Sequence, residues 1–281
     1  MALELELCCG TVRQASLPEL IEAAAATGFG AVTANPTLHR DAGLSPQALR
    51  KRLRDAGVRV SNIDGFGSGL PGIPVGEAIT PYRSFHGRDV SRTFTTPEED
   101  FYRSAEALGA DSINLVHFGG DPATPFEAVA EAAAAISGRA AKHGLRIVIE
   151  FIPGTGVPDI ATAARLVEAV GAANFGIMFD TRHLTRSGGG TADVARFAHQ
   201  IDAIQLSDLR TASPADPNRL LPGEGDLPLA GMLALILSAR PGTPVGIEVF
   251  NETLPRMTPL AAAQVAAESL RSVVDRAVSG V

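Results

Sequence analysis

Basic residues are in short supply. Against 31 Asp and Glu the chain carries 24 Lys and Arg, giving a formal net charge of −7 and a pI near 5.4. A nucleic-acid surface needs clustered Lys and Arg to displace counterions, so that partner is not expected. Cysteine is nearly absent: the only two, Cys8 and Cys9, are adjacent. Neighbours on a strand point to opposite faces, so no disulfide is expected between them, which fits a reducing, cytoplasmic compartment. Long apolar runs are missing as well. Glu127 and Glu131 interrupt one alanine-rich segment, Glu268 and Arg271 another, so no membrane span is expected. The opening Met-Ala-Leu-Glu-Leu-Glu has an acidic start and no long apolar stretch, and does not read as a secretory signal.

What is present is a rhythm. Short apolar segments at Leu3–Cys9, Ala31–Asn35, Val58–Phe66, Ser112–Phe118, Arg146–Ile152, Phe175–Asp180, Ile201–Ser207 and Val245–Phe250 predict eight strands. Helical patterns alternate with them at Pro18–Thr27, Pro46–Ala56, Pro97–Leu108, Pro122–His143, Asp159–Val170, Thr191–His199, Leu229–Ala239 and Pro259–Val278. Ser16 is a natural N-cap for the first helix, and Gly28 and Gly57 are natural stops. This alternation predicts an α/β fold, a (β/α)8 TIM barrel forming a single domain over residues 1–281, with a doubly wound open sheet as the alternative. Two polar stretches, about 67–96 and 211–226, each follow a strand and so fall on the catalytic face of such a barrel. The first embeds Tyr82, Arg83, His86 and Arg88, which suit a lid over substrate or an ordinary surface loop.

Four strands in the C-terminal half end on a side chain able to bind a metal. They run Ile147-Val-Ile-Glu150, Ile177-Met-Phe-Asp180, Ala203-Ile-Gln205 and Val245-Gly-Ile-Glu248. Barrel strands alternate between the interior and the helix layer, so each polar residue can face inward while its β-branched neighbours face the helices. Buried carboxylates are costly unless paired or metal-bound, and three converging on one mouth call for a cation. Taken singly, each could instead cap a helix or pair with an arginine. Together they form a hard, all-oxygen set that favours Mn2+, or else Mg2+ or Co2+, over a thiolate- or imidazole-rich zinc site.

Other polar residues fall near this mouth. His183 follows Asp180 by three residues, and its ability to titrate near neutral pH suits a catalytic base; a helix-end hydrogen-bonding role is the plainer reading. His117 ends the fourth strand, where substrate contact and core packing are both open. Arg219 sits in a Pro/Gly loop beside Glu224 and Asp226, where a solvated surface charge is the default. Asp208 has the opposite parity to Gln205 and suits a turn or cap.

These residues carry a resemblance. The opening Gly10-Thr-Val-Arg, Ile149-Glu150, Phe179-Asp180-Thr-Arg-His183-Leu, Ile204-Gln205-Leu-Ser-Asp208, Arg219-Leu-Leu-Pro-Gly-Glu-Gly-Asp226 and Gly246-Ile-Glu248 resemble the sugar phosphate isomerase/epimerase superfamily, the xylose-isomerase-like barrels. The resemblance spans nearly the whole chain. It implies that Glu150, Asp180, Gln205 and Glu248 hold a divalent metal and that His183 and Arg219 contact substrate. The sugar epimerases usually have His where this chain has Gln205, and Gln there is similar to bacterial 3-dehydroshikimate dehydratases.

A divalent metal holding a carbonyl and an adjacent hydroxyl makes the neighbouring C–H acidic enough for a positioned base. Glu150 and Glu248, three strands apart in a ring of eight, suit proton transfer on two faces. The leading expectation is therefore a metal-dependent isomerase or epimerase of a polyhydroxylated ketone or aldehyde, with Glu150, Glu248 and His183 as catalytic candidates and His117, His183 and Arg219 as substrate contacts. The alternative is a lyase dehydrating a cyclic hydroxyketone such as 3-dehydroshikimate or an inosose, with His183 as its single base. A DNA-repair endonuclease of the endonuclease IV type needs several metals and more histidine ligands than six histidines suggest. A non-catalytic barrel subunit is the remaining alternative. A small-molecule substrate is the expected partner, and a homo-oligomer is open.

Overall fold

The structure is a computed structural model and describes residues 3–77 and 93–279. Its strands are β1 (Leu5–Leu7), β2 (Ala31–Ala34), β3 (Arg59–Phe66), β4 (Ser112–Val116), β5 (Arg146–Glu150), β6 (Phe175–Asp180), β7 (Ile201–Leu206) and β8 (Val245–Ile247). They close into one parallel barrel in sequence order, with β1 paired to β8. Its helices are α1 (Leu17–Thr27), α2 (Pro36–Asp41), α3 (Pro46–Ala56), α4 (Glu98–Leu108), α5 (Phe126–Lys142), α6 (Ile160–Val170), α7 (Thr181–Arg186), α8 (Thr191–Phe197), α9 (Leu229–Ala239) and α10 (Pro259–Ser279). The expected (β/α)8 TIM barrel is the observed fold. Among the described residues, no helix is long and apolar enough to cross a membrane.

Local chemistry sets the element ends. The Ser16 hydroxyl accepts from the Glu19 N–H while the Glu19 carboxylate accepts from the Ser16 N–H, closing a capping box at the start of α1. Gly28, at φ 76°, ends the same helix in a left-handed turn that a side chain would strain. Two short helices lie outside the sequence reading. Asn35 caps α2, and Asp180 itself caps α7, its Oδ1 accepting from the His183 N–H at 2.9 Å. His183 is therefore on a helix, within one turn of its cap.

The apolar core lies between the barrel and its helices. Ile147, Ile149, Ile177, Phe179, Ile204, Leu206, Val245 and Ile247 all belong to it. At the strand ends the residues alternating with them are buried but polar: Glu150, Asp180 and Gln205. The alternation expected from the strands therefore holds in these elements. β8 ends at Ile247, yet the Glu248 N–H continues the ladder by donating to the Leu206 carbonyl at 2.9 Å. Further down the barrel Glu6 is buried and accepts from the Ser61 hydroxyl. The barrel interior thus holds buried polar groups alongside apolar ones such as Val148 and Met178, while hydrophobic burial between barrel and helices supplies most of the stability.

Candidate functional site

β5, β6, β7 and β8 are consecutive in the barrel, so their ends form one arc. Asp180 is the register partner of Gln205, and Gln205 of Gly246, two residues before Glu248. Glu150, Asp180, Gln205 and Glu248 are all buried, none more than 6% exposed. The structure therefore brings the four strand-end residues to one mouth.

Three carboxylates are packed there with one guanidinium. Arg219 Nη1 lies 2.7 Å from Asp180 Oδ2 and 2.8 Å from Glu248 Oε2. Arg219 is only 5% exposed, which corrects the expectation of a solvated surface charge. Its loop is folded back onto the barrel: the Arg219 N–H donates to the Phe250 carbonyl, and Asp208 and Leu220 exchange backbone hydrogen bonds. Asp208 holds that loop from below by accepting the N–H groups of Leu209, Gly223 and Leu227. This is the turn role that its strand parity suggested.

His183 joins the other side. Its Nε2 is 3.3 Å from Glu150 Oε1, while its Nδ1 is buried with no partner. Glu150 Oε2 accepts from Asn114 Nδ2 at 2.7 Å, and the same amide donates to Asp64 Oδ1 at 2.8 Å. Asp64 and Asn114 were missed in the sequence. β3 changes register against both of its neighbours, so counting alternate residues along it does not tell which of them face inward. The visible signal was the pattern Asn62-Ile-Asp64.

The carboxyl groups are driven apart by their surroundings. Burial alone would raise Asp180, but the facing Arg219 charge and then His183 hold it below the usual carboxylate range. Burial pushes Glu248 well above that range, with Arg219 opposing the rise and Glu150 adding to it. Burial likewise raises Asp64 to about 7, with the nearby Glu150 charge reinforcing it. Cys8 donates its S–H to Glu248 Oε1 at 3.2 Å and is held as a thiol by its contact with Cys9, by burial and by the Glu248 charge. Neither cysteine is part of a disulfide.

Two observations fit a divalent cation in this mouth. The side-chain amide of Gln205, 0% exposed, has no hydrogen-bond partner for either its oxygen or its nitrogen. Such a buried orphan is expensive unless a ligand completes it. Glu150, Asp180 and His183 also offer ligand atoms within 4.8 Å of one another, and so do Cys8, Asp64 and Glu248. Carboxylate and amide oxygens are hard donors suited to such a cation.

His117 is not part of this cluster. It is fully buried, its Nε2 lies 2.8 Å from the Pro71 carbonyl and its Nδ1 accepts from the Gly156 N–H at 2.9 Å. Both ring nitrogens are thereby committed to backbone, and the imidazole ties together the segments after β3, β4 and β5. Tyr82, Arg83, His86 and Arg88 lie outside the described residues.

A closed parallel barrel with buried acids at the strand ends defines the class of protein, and the comparisons agree. Residues 21–273 match the family described as xylose isomerase-like TIM barrel. The chain belongs to that family. It is similar to a 3-dehydroshikimate dehydratase of Pseudomonas aeruginosa, with 28% identity over 84% of this chain and 36% of that protein. The chain thus spans little more than a third of that dehydratase. An inosose isomerase of Bacillus velezensis is 26% identical over 52% of this chain and 55% of its own length. The structure of the IOLI protein with a binding zinc atom superposes with a TM-score of 0.79 at 16% identity, covering 98% of this chain and 99% of that one.

Proposed function

We propose that the protein is a divalent-metal-dependent enzyme acting on a polyhydroxylated ketone or aldehyde by removing a proton next to the carbonyl. The observation that carries this reading is the orphaned Gln205 amide set among three buried carboxylates of which only Asp180 and Glu248 meet Arg219. Glu150, Asp180, Gln205 and Glu248 would hold the metal, which we propose to be Mn2+, or else Mg2+ or Co2+. When bound, such an ion polarises a carbonyl oxygen.

The chain's own groups supply the proton chemistry. Glu150 and Glu248 stand at β5 and β8, three strands apart, and can address opposite faces of a substrate carbon. One face taken and the other returned gives epimerisation; return to the adjacent carbon gives isomerisation. Asp180, held anionic by Arg219, suits an anchor better than a base. Arg219 and His183 would contact substrate oxygens.

A second reading, dehydration, has its own support. His183 Nε2 stands 3.3 Å from Glu150 Oε1 on a rigid helix start, a suitable single base. The Pseudomonas relative named as a 3-dehydroshikimate dehydratase matches 84% of this chain. In that reaction His183 would take the proton beside the carbonyl, the C–H electron pair would form the new C=C bond, and the β-hydroxyl would leave with its bonding pair, protonated to water by the His183 imidazolium.

The test is to incubate metal-stripped and metal-reloaded protein in D2O with ketoses, inososes and 3-dehydroshikimate and to follow each by NMR. Metal-dependent deuterium uptake without loss of water supports the isomerase or epimerase. Loss of water to an enone or aromatic product supports the dehydratase. No metal-dependent change with any substrate class would overturn both.

A further inference from the structure

Arg182 has no role in the chemistry above, yet it is one of the least comfortable side chains in the molecule. It lies on α7, two residues after Asp180, and is only 6% exposed. Among the described residues, no carboxylate lies within ion-pair distance of it. Its Nη2 donates to the Asp216 main-chain carbonyl at 2.6 Å, and its Nη1 is buried with no partner. The Asp216 carboxylate is turned elsewhere, accepting from the Asn218 N–H at 2.9 Å. Burial, then the charges of Arg219 and Arg186, all work against its positive charge, and Asp180 and Asp216 offset them only in part.

A buried guanidinium with one neutral acceptor is costly, and an apolar side chain of similar length would be the cheaper way to fill the space. A planar fork with an open Nη suits a carboxylate or phosphate, which it can bind through charge-assisted hydrogen bonds. Arg219 already spends its Nη1 on Asp180 and Glu248, which leaves its Nε for a substrate oxygen, whereas among the described residues no carboxylate claims any part of Arg182. We propose that Arg182 forms an anion subsite at the barrel mouth, where its unpartnered Nη1 receives a carboxylate or phosphate group carried by the substrate.

The covering segment can yield. Residues 211–217 are exposed, and within them the Ser213 N–H bonds to Arg210 and the Asp216 N–H to Ser213, both inside the loop. Release of the Asp216 carbonyl frees Nη2 beside the unpartnered Nη1, so that both prongs of the fork can meet one ligand. The inference rests on the proposed reading of the mouth as a substrate site, and it narrows the substrate to hydroxyketones that carry an acidic group.

The experiment reads binding and needs no turnover. Mn2+-loaded protein is titrated calorimetrically with shikimate and with its uncharged methyl ester, and separately with fructose 6-phosphate and fructose. In the wild type one charged ligand should bind about ten- to a hundred-fold more tightly than its neutral twin, the range expected for a charge-assisted contact. The pair that shows the preference identifies carboxylate or phosphate as the group. Arg182→Met keeps the stem and removes the buried charge, so it should fold and lose the preference; Arg182→Gln is the second variant, both checked by circular dichroism. Equal binding within both wild-type pairs, or a preference that survives in a folded variant, would overturn the subsite. Loss of the proposed reaction in the D2O assay would leave this binding result untouched, so the two failures are distinguishable.

Discussion

Arg219 places its Nη1 2.7 Å from Asp180 Oδ2, so a cation from a distant loop completes the arc of strand-end acids. The same nitrogen reaches Glu248 Oε2 at 2.8 Å. In metal-free protein, Arg219→Gln leaves two buried carboxylates without their counter-charge and should cost about 3–5 kcal/mol of stability. Saturating divalent metal should shrink that loss, because it supplies positive charge to the same oxygens. Denaturant midpoints of wild type and variant, with and without metal, check this. Equal losses in both conditions would show that guanidinium and metal do not share the acids.

Asn114 holds Glu150 and Asp64 through one amide nitrogen. Groups that orient a metal-binding carboxylate typically contribute about ten- to a hundred-fold to metal affinity. Asn114→Ala should weaken Mn2+ binding by that order while the protein remains folded. Calorimetric titration measures it, and an unchanged affinity would remove Glu150 from the ligand set or Asn114 from its support.

Glu6 gives the barrel a pH dependence. Burial, with the Ser61 hydrogen bond opposing it, raises its carboxyl from 4.5 to about 7. The folded state therefore holds this proton more tightly than the unfolded chain. The stability it contributes is complete below about pH 4.5 and is lost as pH rises through about 7. The total is on the order of 3 kcal/mol. Asp64 titrates in a similar range, so the informative quantity is the difference between wild type and Glu6→Gln. Above pH 7 the variant should be the more stable; a constant difference from pH 4 to 8 would contradict the assignment.

His117 should behave as a staple. His117→Ala removes one acceptor and one donor from the backbone of Gly156 and Pro71 and opens a cavity. A loss of about 2–4 kcal/mol is expected. Thermal melts give the loss, and kinetics scaled to the folded fraction should show little change in KM. A large rise in KM in well-folded variant would restore the substrate-contact reading.

Much of this was legible because alternation in a barrel strand is strict. Val148 and Glu150 could be placed on the face opposite Ile147 and Ile149 with no structure in hand, and the buried positions agree. Asp64 was not legible, because shifts in the β3 register break the count. The burial of Arg219 depends on its N–H reaching Phe250 and on its loop pairing with Asp208, contacts no local pattern announces. The α7 helix was readable in principle. Asp is a preferred N-cap residue, and a capping role for each strand-end acid was open, but no helical pattern after Asp180 was recognised.

The most direct test of the central claim is metal binding itself. Stripped protein is titrated with Mn2+ by calorimetry alongside Asp180→Asn and Gln205→Leu. One ion per chain should bind the wild type, with affinity lowered at least about ten-fold in each variant. A wild type that takes up no divalent ion even at millimolar concentration, or variants that bind as it does, would contradict the four-residue site and the enzyme built on it.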